Sequence, residues 1–218
     1  PLCSWQYERM FNTARVPGVE GDKIVHYENI RHVVVLYKGC YYKMLIYHIN
    51  RLLNACEIQY QLEQIIKYAE KTTHAEDRLA SLTALNRTKW AEIREKYFAD
   101  GVNKASLQTI ESSAFILVLD DEPYEYGLKS SPVDYGYYGR QLMHGKGKDR
   151  WFDKSFNLCV GTNGRVSLNL QSEKSFFRAF KSSNNLICFS FLPERVKRRA
   201  YIWRCTSFGA NVRRLSLL

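Results

Sequence analysis

The sequence predicts a mixed α/β domain with a largely non-local sheet, on three observations. Two runs rich in valine, tyrosine and isoleucine flank Lys38-Gly39 in HVVVLYKGCYYKMLIY (32–47). Apolar residues at helical spacing fill the middle of the chain, and a second strand-rich stretch, DRWFDKSFNLCVGTNGRVSLNL (149–170), follows them. The order is hairpin, helices, strand, helix, hairpin, with no internal repeat, heptad run or low-complexity linker.

Each element has its own local reason. The first hairpin follows an irregular opening that contains Pro17-Gly18, and its β-branched and aromatic runs turn at Lys38-Gly39. Asn54 and Glu57 have the spacing of a reciprocal helix cap, and Ile58, Leu62, Ile65 and Ile66 then share one face, predicting an amphipathic helix over 55–71. The polar stretch THAEDRLASLTALNR (73–87) has room for one helical turn. Trp90, Ile93, Tyr97 and Phe98 predict a helix that Gly101 is placed to end. Leu107, Ile110 and Ala114 predict the next, running into FILVLDD, short enough for a buried strand. A helix over 134–144 ending near Gly145, and a hairpin with a type I′ turn at Asn163-Gly164, complete the series.

Composition bounds the function. With 218 residues, 45% hydrophobic and 25% charged, the chain is that of an ordinary folded protein. No run of about 18 apolar residues predicts a membrane span, and the first residues lack the organisation of a signal peptide. The chain does not start with methionine, so it is expected to begin inside a larger reading frame or after processing. Six scattered cysteines with no CxxC pair predict a reducing compartment, buried apolar roles for each, and no metal site. The net charge of +10 is uneven: residues 172–218 hold ten Lys/Arg and two Asp/Glu, leaving residues 1–171 at only +2. That shift predicts two parts with different histories, and no nucleic-acid partner is expected. GxxxxGK[ST], GxSxG, HExxH and GxGxxG are absent, which removes the P-loop, hydrolase, zincin and dinucleotide readings. HGKGKD (144–149) reads as a helix stop and surface turn. Histidines 26, 32, 48 and 74 have no partners apparent in sequence.

Five segments carry a resemblance: PLCSWQYERMFNTARVPG (1–18), HVVVLYKGCYYKMLIY (32–47), LASLTALNRTKWAEIREKYF (79–98), NKASLQTIESSAFILVLDD (103–121) and QLMHGKGKDRWFDKSFN (141–157). In this order and spacing the chain resembles the carnitine/choline O-acyltransferases, most strongly those of the type 1 carnitine palmitoyltransferase kind. The resemblance covers 1–169, with RWFDKSF after a His-Gly pair its most diagnostic part. It implies a partial coenzyme A-dependent, chloramphenicol-acetyltransferase-like acyltransferase domain over 1–169, followed by an unrelated basic tail, 170–218.

The implied chemistry is transfer of a long-chain acyl group between coenzyme A, a co-substrate rather than a tightly bound cofactor, and the hydroxyl of carnitine, within fatty acid metabolism. A histidine removes the hydroxyl proton and hydroxyl donors stabilise the oxyanion. With Leu168-Asn169 taken as the family's Leu-Asn, Gln171 stands for its glutamate, Ser172 for its catalytic histidine and Phe176 for the acid that orients the ring. No catalytic residue is therefore assigned, and the chain is expected to be inactive as a fragment. Family position makes Tyr7 and Arg9 the candidates for lining an acyl-acceptor pocket. Trp151, Phe152 and Phe156 are expected in the core, and Asp153 is expected to form a structural ion pair with Arg150 or Lys154.

The resemblance further implies a mitochondrial setting, at the cytosolic face of the outer membrane, with this chain alone soluble or peripheral. Missing flanks are expected to leave apolar surface unburied and solubility low. The tail is expected to pack poorly, with proteases cutting first at Arg195–Arg199. The alternative function is a non-catalytic truncated isoform, an interaction protein whose ERVKRRAYIWR (194–204) binds an anionic surface.

Overall fold

A computed structural model describes residues 4–70, 78–125, 135–170 and 212–214. The expectations for His74, Ser172, Phe176, Cys3, Cys188, Cys205 and the Arg195–Arg199 cluster lie outside these residues. The described part is built on one mixed sheet with helices on both faces.

The chain opens with α1 (Ser4–Glu8) and a small antiparallel pair, β1 (Thr13–Val16) and β2 (Lys23–His26). β3 (His32–Tyr37) and β4 (Cys40–Leu45) follow as the first predicted hairpin, in register from His32 opposite Leu45 to Tyr37 opposite Cys40. Both turn residues have positive φ, 48° at Lys38 and 74° at Gly39. That is the type I′ signature, whose twist matches the right-handed twist of the strands it joins.

The type I′ turn expected at Asn163-Gly164 is not formed. Val160 and Val166 end their strands five residues apart in the loop 161–165, Gly164 N–H donates to Gly161 O at 2.9 Å, and of the asparagine and glycine only Gly164 has positive φ, 76°. The side chain of Asn163 decides this, since its Nδ2 donates to Tyr124 O at 2.8 Å and ties the turn to another loop.

A short β5 (Tyr47–His48) and β6 (Arg51–Leu52) lead into α2 (Ala55–Ala69). Its cap forms as the sequence predicts: Glu57 N–H donates to Asn54 Oδ1 at 3.0 Å, and Asn54 N–H donates to Glu57 Oε2 at 2.8 Å. A 3₁₀ turn, Leu79–Ala84, precedes α3 (Arg87–Tyr97) and α4 (Gly101–Ser112). Gly101 does not end α3; its φ of 64° supplies the left-handed step that opens α4, while Phe98 closes α3. Tyr97, expected on the packed face, is 55% exposed, and Phe98 instead meets the Trp90 ring edge-on.

β7 (Ile116–Leu119), α5 (Tyr135–His144), β8 (Phe156–Val160) and β9 (Val166–Leu170) complete the main run. Gly145, with φ 50°, follows α5 as expected, and a Cβ there would meet Asp149 Oδ1 at 2.7 Å and the Arg150 guanidinium at 2.8 Å. The RWFDKS segment is an irregular buried turn, the strand beginning only at Phe156. Its polar backbone is satisfied by side chains instead of a ladder. Trp151 N–H donates to Asn157 Oδ1, and Asn157 Nδ2 donates back to Trp151 O. Phe152 N–H donates to Thr83 Oγ1.

The sheet order is β10-β4-β3-β7-β8-β9, where β10 is Val212–Arg214; β3, β7 and β8 are mutually parallel and the other pairings antiparallel. Val212–Arg214 pair antiparallel with β4, and the rest of the tail from 171 on lies outside the described residues. Burial on both faces explains why Val33–Leu36 and Ile116–Val118 are continuous apolar runs. One face packs Val33, Val35, Tyr42, Met44 and Leu117 against Ile65 and Ala69 of α2. The other packs Val34, Leu36, Tyr41, Ile116 and Val118 against Trp90, Leu107, Ile110 and Trp151.

Candidate functional site

The chemistry-bearing side chains collect on the second of these faces, where the turn 150–155 fits between α3, α4 and β1. Asp153 is its hub. Arg15 Nε (3.1 Å) and Arg87 Nη1 (2.8 Å) donate to Oδ1, and Trp90 Nε1 (2.9 Å) donates to Oδ2. Asp22 joins the network through Arg87 Nε at 2.7 Å. Burial raises the Asp153 carboxyl above its ordinary range, and the Arg87 charge and the Arg87 and Trp90 hydrogen bonds pull it back. The expected partners Arg150 and Lys154 are thus replaced. Both face elsewhere because the irregular turn points successive side chains in unrelated directions.

Arg150, wholly buried, donates from Nη2 to Asp120 Oδ2 at 2.7 Å and lies beside Asp149 and Tyr124 at the carboxyl ends of β7 and β8. Lys154, also wholly buried, donates from Nζ to the backbone oxygen of Glu111 at 2.6 Å. Burial lowers its ammonium to about 7, against a weaker opposing pull from the Glu111 carboxylate. That carboxylate is held by Arg94 in a two-pronged pair, with Nη2 to Oε2 at 2.9 Å.

Beyond Glu111 and Arg94 opens a cleft of about 540 Å³, bounded by Pro17, Tyr27, Phe98 and Lys104. Burial pushes the Tyr27 hydroxyl up to about 12, with the Glu111 charge adding to it. A carboxylate with three donors on it, and an ammonium sealed from solvent, suit structural roles better than proton transfer to a substrate. Asp153 and Lys154 hold β1, α3, α4 and β8 in mutual position.

The residues proposed from sequence fare differently. Trp151 and Phe156 are buried and Phe152 half-buried. Tyr7 is 44% exposed on α1, and Arg9 stacks over the Trp5 ring at 4.7 Å; neither borders the cleft. His32 is buried in β3, its Nε2 3.0 Å from Thr109 O, and burial lowers its pKa. His26 Nδ1 lies 3.0 Å from Thr13 Oγ1, so both have partners that sequence did not reveal. Cys40 and Cys159 are buried as expected, whereas Cys56 in the first turn of α2 is exposed. Among the described residues no cluster of metal-ligating side chains occurs, and no helix is long and apolar enough to cross a membrane.

Sequence reasoning missed Arg15, Asp22, Arg87, Arg94, Glu111 and Asp120. A buried charge in a helix otherwise read by its apolar stripe, such as Glu111 beside Ile110, was the one available signal.

A mixed sheet covered on both faces, with the RWFDKSF turn buried in it, is the architecture of a partial acyltransferase domain, and comparison with known proteins gives the family. The profile of the choline/carnitine O-acyltransferases matches residues 1–175, and the chain belongs to that family. It is 43% identical over 171 residues to the human liver isoform of carnitine O-palmitoyltransferase 1 and 41% to the human muscle isoform. It is 35% identical over 172 residues to the mitochondrial carnitine O-palmitoyltransferase 2 of Rattus norvegicus. Each alignment takes in 78% of this chain but only 22% of the type 1 relatives and 24% of the type 2 relative, so the chain spans under a quarter of their length.

Proposed function

We propose that this chain is part of a carnitine O-palmitoyltransferase-type enzyme by descent, acting in fatty acid metabolism at mitochondria, and that by itself it does not transfer palmitoyl groups between coenzyme A and carnitine. The observation that carries the first half is the match over residues 1–175, in which the five ordered blocks fall on the sheet, its covering helices and the buried turn. What supports the second half is Ser172 at the position of the family's histidine. A serine hydroxyl is far too weak a base near neutral pH to replace it. Loss of a general base costs about 10²–10⁴-fold, and loss of an oxyanion donor a further 10²–10³-fold or so. Palmitoyl-coenzyme A and carnitine are then partners of the whole enzyme, with Tyr7 and Arg9 assigned to its acyl-acceptor pocket.

The test is carnitine-dependent release of free coenzyme A from palmitoyl-coenzyme A by the purified chain. No rate above the enzyme-free control is expected, and S172H should not restore one because Phe176 cannot orient the ring. Saturable turnover abolished by changing a residue of this chain would overturn the inactive reading. Sequencing the transcript across residue 169 separates the two readings: a continuous frame carrying the histidine makes this chain a fragment of the longer enzyme, and a stable short message favours the non-catalytic isoform.

A further inference from the structure

α4 ends inside the protein, with Ile110, Glu111, Ser113 and Ala114 all buried. The last carbonyls of a helix have no partner within it, and a buried end leaves them no water, so other groups must donate. Ile110 O receives the Ser113 backbone N–H at 3.3 Å and its Oγ at 2.8 Å. The carbonyls on either side are capped from distant parts of the chain: Thr109 O by His32 Nε2 of β3 at 3.0 Å, and Glu111 O by Lys154 Nζ at 2.6 Å. A carbonyl can only accept, so Nε2 carries the ring proton of His32. Both caps are titratable nitrogens. Burial lowers the proton affinity of each, that of Lys154 to about 7, and the Lys43 and Lys154 charges lower His32 further. The other charged groups around this helix end are Glu111 of α4, Arg94 of α3, Tyr27 after β2, and Asp153 of the turn, which is directed to Arg15, Arg87 and Trp90.

On gaining a proton, Lys154 becomes an ammonium with three N–H donors, and its acceptor among the described residues is Glu111 O alone. The anion that acts on it is the carboxylate of the same residue, which Arg94 holds. Exposure decides which cation keeps that carboxylate. The Arg94 side chain is 26% exposed, so water can solvate it when released, whereas Lys154 is wholly buried and has no such recourse. We infer that the buried end of α4 is a proton-operated switch, in which a charge on Lys154 draws the Glu111 carboxylate away from Arg94 and leaves the Arg94 guanidinium to the cleft. The wall that Arg94 shares with Tyr27 and Lys104 then gains, at low pH, a positive charge that is paired at high pH. His32 stays neutral through the change, because Lys154, once charged, opposes a second cation at the same helix end. This inference is independent of acyl transfer, and assays of coenzyme A release do not bear on it.

Heteronuclear NMR of the full chain, titrated on both sides of neutral pH, reads the switch through the Lys154 Nζ and Arg94 Nε resonances. The two should move together, with a shared midpoint of about 7. In E111Q, whose amide can still accept from Arg94 but has no charge to hand over, the Arg94 signal should no longer follow pH. The Lys154 midpoint should fall in the same variant, because the attraction that raises it is gone. K154M should keep Arg94 and Glu111 paired at every pH, and should raise the His32 midpoint by removing a charge that lowers it. H32Q, which can still donate to Thr109 O, should leave the Arg94 titration where it is. A Lys154 signal that titrates while Arg94 stays fixed would overturn the switch. So would an Arg94 shift that survives in E111Q or is lost in H32Q. The unaltered chain and E111Q decide the matter whether or not K154M folds.

Discussion

The two faces of the central sheet solve the same packing problem in different ways. Against α2, β3 and β4 present Val33, Val35, Tyr42 and Met44 to Ile65 and Ala69, and the buried polar group of the helix is Gln61, whose Nε2 donates to Leu45 O. Against α3, α4 and the turn 150–155, the same strands meet an apolar cluster around Trp90 and Trp151 that is interlaced with Glu111, Arg150, Asp153 and Lys154. An apolar face tolerates exchange of one hydrocarbon for another of similar volume. A face built on buried charges does not, because each ion depends on named partners for its solvation. The family's most diagnostic segment lies on the second face, where its residue types are fixed by one another.

Asp153 tests that contrast most severely. D153A leaves Trp90 Nε1 without its acceptor and two guanidinium groups without their shared carboxylate. Breaking a buried pair costs about 3–5 kcal/mol, and the lower end applies because Arg15 and Arg87 side chains are 29% and 27% exposed. Chemical denaturation should show about 3 kcal/mol lost, and D153N, which can still accept from Trp90, should lose less. Equal losses would mean that charge, not geometry, is what the hub supplies.

On the apolar face, I65A should cost about 2–4 kcal/mol by the same measurement, from lost burial and the cavity left behind. I65V or I65L should recover most of it, whereas no substitution of Asp153 by an apolar residue should. An I65L variant as unstable as I65A would erase the proposed difference between the faces.

Lys154 gives the sharpest signature, a slope in pH instead of a fixed loss. Its folded pKa of about 7 lies below the ordinary 10.5, so between these values the unfolded chain binds a proton that the folded chain does not. Stability should therefore rise with pH across that window, by at most about 1.4 kcal/mol per pH unit, and the cost of the buried ammonium is complete below pH 7. K154M should remove that slope. His32 works in the opposite range: its lowered pKa means stability is full above about 6.5 and falls as the pH drops below that. A slope between pH 7 and 10.5 that persists in K154M would assign it to other groups.

Much of this fold was legible because it is locally encoded. The Lys38-Gly39 turn, the Asn54–Glu57 cap, the apolar stripe of α2, the buried run Ile116–Leu119 and the stop at Gly145 depend on residues within a few positions of one another, and all are present. The family, too, was legible, since it rests on residue types in order. Local rules failed where a distant group competed. Gly101 opens a helix instead of closing one, and Asn163 gives up a type I′ conformation for the Tyr124 carbonyl.

Sequence by itself determined the first hairpin, the main helices, the buried strand, the α/β class and the family, while the opening it left irregular holds α1 and the β1–β2 pair. Tertiary structure alone decided which charges meet. Asp153 chose Arg15, 138 positions away, and Arg87, 66 positions away, over its neighbours Arg150 and Lys154. The reason is geometric: a buried ion is stabilised by donors at hydrogen-bonding distance and direction, and an irregular turn aims adjacent side chains apart while the sheet brings remote ones together. Spacing along the chain carries information about periodic elements, but none about that convergence.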